Sequence, residues 1–162
     1  WSESGLKLER SVIDIVLMIV VIAAAYTDLR RGKVYNAITF PAIALGLALN
    51  GVFWGGEGIA DSLRAVALAF VFLIVPVALK GVGAGDLKLL AAVGALGGVK
   101  FLLFAFFYAA LIIGAASVFI LGYRRLAFLP LPVYISRGPA GIQALPFAVA
   151  VAIGCALAFY VR

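Results

Sequence analysis

The sequence predicts an all-α polytopic membrane protein with about six transmembrane helices, the fourth of them short, and three observations carry that prediction. Hydrophobic residues make up 66% of the 162 residues and charged residues only 12%, with a mean hydropathy of +1.22. An ordinary soluble domain is about half apolar and about a quarter charged. A compact soluble fold would therefore leave too much apolar surface in water, so lipid must be the solvent for most of it. The apolar residues also fall in runs close to the roughly 20 residues that cross a bilayer as a helix. None of these runs alternates polar with apolar residues, as the strands of a membrane β-barrel would.

Each element can be justified in order. The first span is expected over 11–27 (SVIDIVLMIVVIAAAYT), the second over 36–53 (NAITFPAIALGLALNGVF) and the third over 61–79 (DSLRAVALAFVFLIVPVAL). The fourth, over 87–98 (LKLLAAVGALGG), is too short to cross a ~30 Å hydrocarbon core by itself. Its Gly97-Gly98 end runs straight into the fifth, over 99–123, and the sixth follows over 142–160. The connection over 124–141 is rich in Pro and Gly, which places it in the interface region. Ala23-Ala24-Ala25 does not read as the end of a cleavable signal, because a charged loop and further spans follow it. Residues 1–162 are expected to form a single membrane-embedded domain, and residues 1–5 carry no functional reading.

Charge orients the bundle and narrows the chemistry. With six spans, the connections after the first, third and fifth share one side. They hold Arg30, Arg31 and Lys33, then Lys80 and Lys88, then Arg124, Arg125 and Arg137, which is eight of the 13 basic residues. That excess places this side in the cytoplasm and both termini outside it. The net charge of +6 then marks topology rather than a nucleic-acid partner. With no histidine and a single cysteine, Cys155, the chain offers no His-based catalysis, no disulfide framework and no Cys-x-x-Cys metal site. Cys155 lies in an apolar run and reads as a small buried hydrophobe.

Of the seven acids, Asp28 and Asp86 are the two on the cytoplasmic side. Asp28 closes the first helix in AYTDLRRGKVYN and Asp86 opens the fourth in KGVGAGDLKLL. Two carboxylates brought close together share a proton and titrate as one unit. One can then take a proton from water while the other donates to a carbonyl oxygen, which hydrolyses an amide with neither histidine nor metal. Each acid also has a plainer reading. Asp86 can cap a helix N-terminus by accepting N–H bonds from Leu87–Leu89, and Asp28, at the unfavourable C-terminal end of a helix dipole, can pair with Arg30 or Arg31. Gly81, Gly83 and Gly85 leave the backbone before Asp86 unscreened, so an extended peptide could lie across it. Asp14, four residues after Arg10, reads as its helical partner.

The segment Gly83-Ala84-Gly85-Asp86-Leu87-Lys88, a G-x-G-D-x-K with a trailing glycine-rich helix, resembles a signature of the type IV prepilin peptidases. DLRRGKVYNAITFPAIALGL resembles their other signature, an Asp, a short basic loop, an Asn and a Pro-bearing helix, and LPFAVAVAIG resembles their late Pro-Phe segment. These are membrane aspartyl proteases of the GxGD class, related to archaeal preflagellin peptidases and more distantly to presenilins, and the likeness covers about residues 11–160. The resemblance implies an aspartic endopeptidase that removes a short basic leader from prepilin-like proteins, cutting after a glycine at the cytoplasmic edge of the membrane, in type IV pilus biogenesis and protein secretion. Asp28 and Asp86 would be the catalytic pair, with Gly83, Gly85, Lys88 and Asn36 shaping the site.

Further expectations come with the resemblance. Asn36 carries over as an N-cap or site-shaping residue, although Val34-Tyr35-Asn36 stands where many members have Ile-Pro-Asn. Lys88 reads either as a positive-inside anchor or as a cation beside the carboxylates. The larger bifunctional members have an N-terminal region with paired CxxC motifs and methylate the new N-terminus. This chain shows neither that region nor a methyl-donor site, so protease activity alone is expected, with no cofactor and no metal, as in the minimal Flp/Tad-type or archaeal enzymes. The partners implied are prepilin-like substrates and the lipid bilayer of the inner (cytoplasmic) membrane, with a homodimer left open. Two other readings compete: a small proton-coupled transporter using the same Asp pair, and an assembly scaffold in which both acids are only caps and ion-pair partners.

Overall fold

The computed structural model describes residues 3–31, 33–79, 83–126 and 147–161, and every regular element among them is helical. The order is α1 (Glu3–Arg31), α2 (Asn36–Ala78), α3 (Ala84–Leu126) and α4 (Phe147–Val161). Three helical stretches, Leu8–Arg31, Asn36–Ala78 and Ala84–Phe119, are long and apolar enough to cross a membrane, and Phe147–Tyr160 is a shorter apolar helix. The chain is a membrane protein. In α1 the apolar run continues to a last turn carrying Arg30 and Arg31, cations that suit the negative end of the helix dipole.

Both of the longest helices are interrupted by a glycine in the left-handed region, Gly55 in α2 (φ 63°) and Gly98 in α3 (φ 76°). An L side chain rarely adopts that conformation, so glycine is the residue that can break a helix there. In α2 the two halves lie back to back across the break, with Gly58 against the Asn50 carbonyl and Gly51 against Ile59. The expected gap between the second and third spans is thus a tight reversal inside α2, and the expected break near Gly97 falls one residue later, at Gly98. The expected start of the sixth span at 142, and the connection over 124–141 beyond residue 126, lie outside the described residues.

The first half of α3, the short fourth span of the sequence, is the centre of the bundle. Leu89 to Leu96 are buried without interruption. A helix apolar on every side needs protein all round it, and α2, α4 and α1 all pack on α3. The face of α2 turned inward is made of small residues, among them Ala42, Gly46, Ala65 and Ala69. Small residues let helix backbones approach closely where lipid offers no hydrophobic drive. At Gly46 the approach is closest, since a Cβ there would lie 2.6 Å from the Ala95 carbonyl carbon.

The break in α3 leaves backbone groups without helical partners, and side chains of α2 satisfy them. Asn50 Nδ2 donates to Ala95 O (2.8 Å) and Leu96 O (3.3 Å). Ser62 Oγ donates to Ala95 O (2.9 Å). On the other side of the break, Val99 N–H donates to Asp61 Oδ2 (3.2 Å). These bonds fix the height of the central helix, and therefore where its N-terminus opens.

Candidate active site

That N-terminus carries Asp86, the third residue of α3. Its carboxylate reaches back, with Gly83 N–H donating to Oδ2 (3.2 Å), while its own N–H donates to Gly83 O (3.0 Å). The pair closes like a capping box, in which the N3 acid satisfies the N-cap amide. The cap expected from Asp86 to the following amides is therefore replaced by a cap onto the preceding one. The reason is positional, because an acid inside the first turn faces the donors behind it.

Asp28 sits near the end of α1, half-buried. The expected pairing with the neighbouring arginines is absent among the described residues. Arg31 Nη1 donates to Tyr35 Oη (2.9 Å), and Arg30 lies over the Tyr26 ring, 5.1 Å from its centroid. Asp28 instead crosses to α4, where Ala148 N–H donates to its Oδ2 (3.3 Å). Ala148 is in the first turn of α4, whose amides have no helical partners and whose dipole favours an anion. The penalty expected for an acid at the end of α1 is thus offset by the start of α4.

The two carboxylates stand at the same end of the bundle, Asp86 in the first turn of α3 and Asp28 at the end of α1 beside the first turn of α4. Among the described residues no hydrogen bond joins them. The other expected site residues gather around them. Lys88 Nζ donates to Asn36 Oδ1 (2.9 Å) and lies 5.3 Å from the Phe40 ring centroid, so the two motifs, 52 residues apart, are tied side chain to side chain. The expectation that Asn36 caps α2 is corrected: Tyr35 is the N-cap, through backbone geometry alone, and Asn36 is free to accept from Lys88. Gly85 packs closely on the preceding connection, since a Cβ there would lie 3.2 Å from Val34 Cβ. The bare backbone expected to face a substrate is here packed, at Gly85, on the connection between α1 and α2. A Cβ at Gly83 would lie 3.3 Å from Asp86 Oδ2. Gly81 lies outside the described residues.

Sequence reasoning missed the Ala148 amide, because a backbone donor leaves no residue signature. It also missed Asn50 and Ser62, for which a polar residue inside an apolar run was an available signal. At the opposite end of the bundle a cavity of about 270 Å³ is lined by Arg10, Asp14, Asn50, Trp54, Glu57 and Asp61, among others. Asp14, Glu57 and Asp61 therefore stand apart from Asp28 and Asp86. Among the described residues no three His, Cys, Asp or Glu side chains gather as metal ligands.

Comparison with known proteins bears on this geometry. A chain similar to this one is the prepilin leader peptidase/N-methyltransferase of Bacillus subtilis (strain 168), 33% identical over 163 aligned positions that cover 96% of this chain and 56% of that protein. The chain thus spans about half the length of the curated relative it matches. No solved structure matches it. The type IV leader peptidase family matches over residues 15–119, a stretch that includes Asp28, Asn36, Asp86 and Lys88, and the chain belongs to that family.

Proposed function

We propose that this chain is an aspartic endopeptidase that removes the short basic leader from prepilin-like proteins. The observation that carries the reading is that the acids of both motifs stand at the same end of the bundle, Asp86 in the first turn of the central helix and Asp28 at the end of α1 against the start of α4, with Gly85 packed on Val34 between them. Two such acids hold one proton between them. The ionised member takes a proton from water as its oxygen attacks the scissile carbonyl, and the protonated member donates to the carbonyl oxygen. The tetrahedral intermediate then collapses as the leaving nitrogen is protonated, giving a new carboxylate and a new amine. Family membership and the prepilin leader peptidase relative support the choice of a prepilin-like substrate, and the cut after a glycine is part of the proposal.

In this reading the six helical segments, from α1 through the two halves of α2 and of α3 to α4, are six spans. The aspartate end faces the cytoplasm and both termini face away from it, as the Lys/Arg excess requires. The transporter reading has no support in the arrangement, since Asp28 and Asp86 stand at helix ends rather than along a path through the bundle. The test is cleavage of a synthetic peptide with a basic leader, a glycine and a following apolar stretch, by purified protein in detergent. Asp28→Asn and Asp86→Asn should each lower turnover by at least about 10³-fold while the protein still inserts and folds. Full activity in either variant would refute the assignment.

A further inference from the structure

The Ala148 amide lies outside the stretch that matches the family, yet among the described residues it hydrogen-bonds to Asp28. We propose that the first turn of α4 is a positioning element of the active site, its Ala148 N–H holding the Asp28 carboxylate in place. The inference rests on the proposed aspartic peptidase reading and adds to it a third helix.

The two acids have different surroundings. Asp86 is held by a local cap from Gly83 on its own chain segment, and the residues that follow it run into the fully buried Leu89 to Leu96. Asp28 accepts from a separate helix, α4, whose first-turn N–H groups and dipole both favour a negative charge. Among the described residues, the charged and titratable groups at this end of the bundle are few. On α3 they are Asp86, in its first turn, and Lys88, which is turned to Asn36 and Phe40. The first described turn of α4, Phe147 to Ala150, has no titratable side chain. On its own helix, Arg30 and Arg31 are drawn to Tyr26 and Tyr35. Each acid thus accepts one backbone N–H at a helix start, Asp86 from its own segment and Asp28 from α4, and the Ala148 amide is the donor that ties Asp28 to a third helix.

The position of that amide is set by packing. A Cβ at Gly154, two turns further along α4, would lie 2.6 Å from the Ala105 carbonyl oxygen of α3. Phe159 packs on Phe101 with ring centroids 4.9 Å apart. The antiparallel contact of α4 with the second half of α3 therefore holds the start of α4 at the level of Asp28.

Two arms test this. Ala148→Pro deletes the donor at a first-turn position, where proline is tolerated, and Ala148→Gly retains it. With the synthetic leader peptide, A148P should lower kcat roughly 10- to 100-fold with little change in KM and move the low-pH limb of kcat/KM upward by about one pH unit. A148G should keep the wild-type limb. A purely structural role would lower the amount of folded enzyme and leave the limb in place. The second arm needs no variant at position 148. In ¹⁵N-alanine-labelled protein in micelles, the Ala148 amide resonance should titrate with the low-pH limb and become pH-independent in D28N. An unmoved limb in folded A148P, or an Ala148 resonance indifferent to D28N, overturns the proposal. Full activity in D28N or D86N would instead sink the aspartate pair itself, so the two failures are told apart.

Discussion

Replacing Lys88 with methionine tests how the two sequence motifs are held to each other. Lys88 makes one charged hydrogen bond to Asn36 Oδ1 at 2.9 Å and one cation–π contact with Phe40 at 5.3 Å, both at a partly solvated position. A charge-assisted hydrogen bond contributes about 1.5–3 kcal/mol when enclosed, and exposure brings this toward about 1 kcal/mol. An exposed cation–π contact adds about 0.5–1 kcal/mol. Methionine retains most of the stem and its packing, so K88M should cost about 1–2 kcal/mol. Asn36→Ala should cost less, since it leaves the Phe40 contact intact. The double variant should show a coupling of about 1 kcal/mol, because each single change already removes the shared bond. The assay is unfolding of each variant in mixed micelles, paired with peptide cleavage, where a start of α3 no longer tied to α2 should lower kcat/KM roughly fivefold. Strict additivity of the two changes, or wild-type behaviour of K88M in both measurements, would refute the idea that this bond joins the motifs.

Two further expectations concern the support of the central helix. Gly46→Ala puts a methyl group 2.6 Å from the backbone of Ala95, which no side-chain rotation can relieve. It should destabilise the bundle by about 1–3 kcal/mol, and unchanged stability in a micelle unfolding titration would contradict that close approach. Asn50→Leu removes a buried donor to Gly46, Ala95 and Leu96 carbonyls and should cost about 1–3 kcal/mol. Ser62→Ala should cost less, because Asn50 still serves Ala95 O. The reverse order in the same titration would show that Asn50 does not hold the break.

The helices were legible because bilayer-spanning runs are a matter of composition and length, and both survive without any knowledge of packing. The break near Gly97 was legible too, since a glycine pair between two apolar runs has few other uses. The motifs around Asp28 and Asp86 were readable as residue types at fixed spacing, and Lys88 and Asn36 could be named with them. What Lys88 and Asn36 do to each other could not be read, because a hydrogen bond across 52 residues depends on how α2 and α3 are juxtaposed. Asn36 was expected, from the resemblance, as an N-cap or site-shaping residue. The backbone of Tyr35 already turns into the helix, which leaves the Asn36 amide for Lys88. Arg30 and Arg31 were natural partners for Asp28 by sequence distance, but the tyrosines offer them aromatic faces and a hydroxyl at the interface.

The amino-acid sequence by itself determined that this chain belongs in lipid, that its apolar segments are helices, and which two acids stand apart from the rest. These follow from transfer free energies and local spacing, properties that each residue carries with it. Tertiary structure alone decided that the shortest segment is the buried axis of the bundle, that polar side chains of α2 bridge its break, and that the start of α4 reaches Asp28. Those outcomes depend on where unpaired backbone groups find partners, and a backbone amide has the same identity at every position until the fold places it.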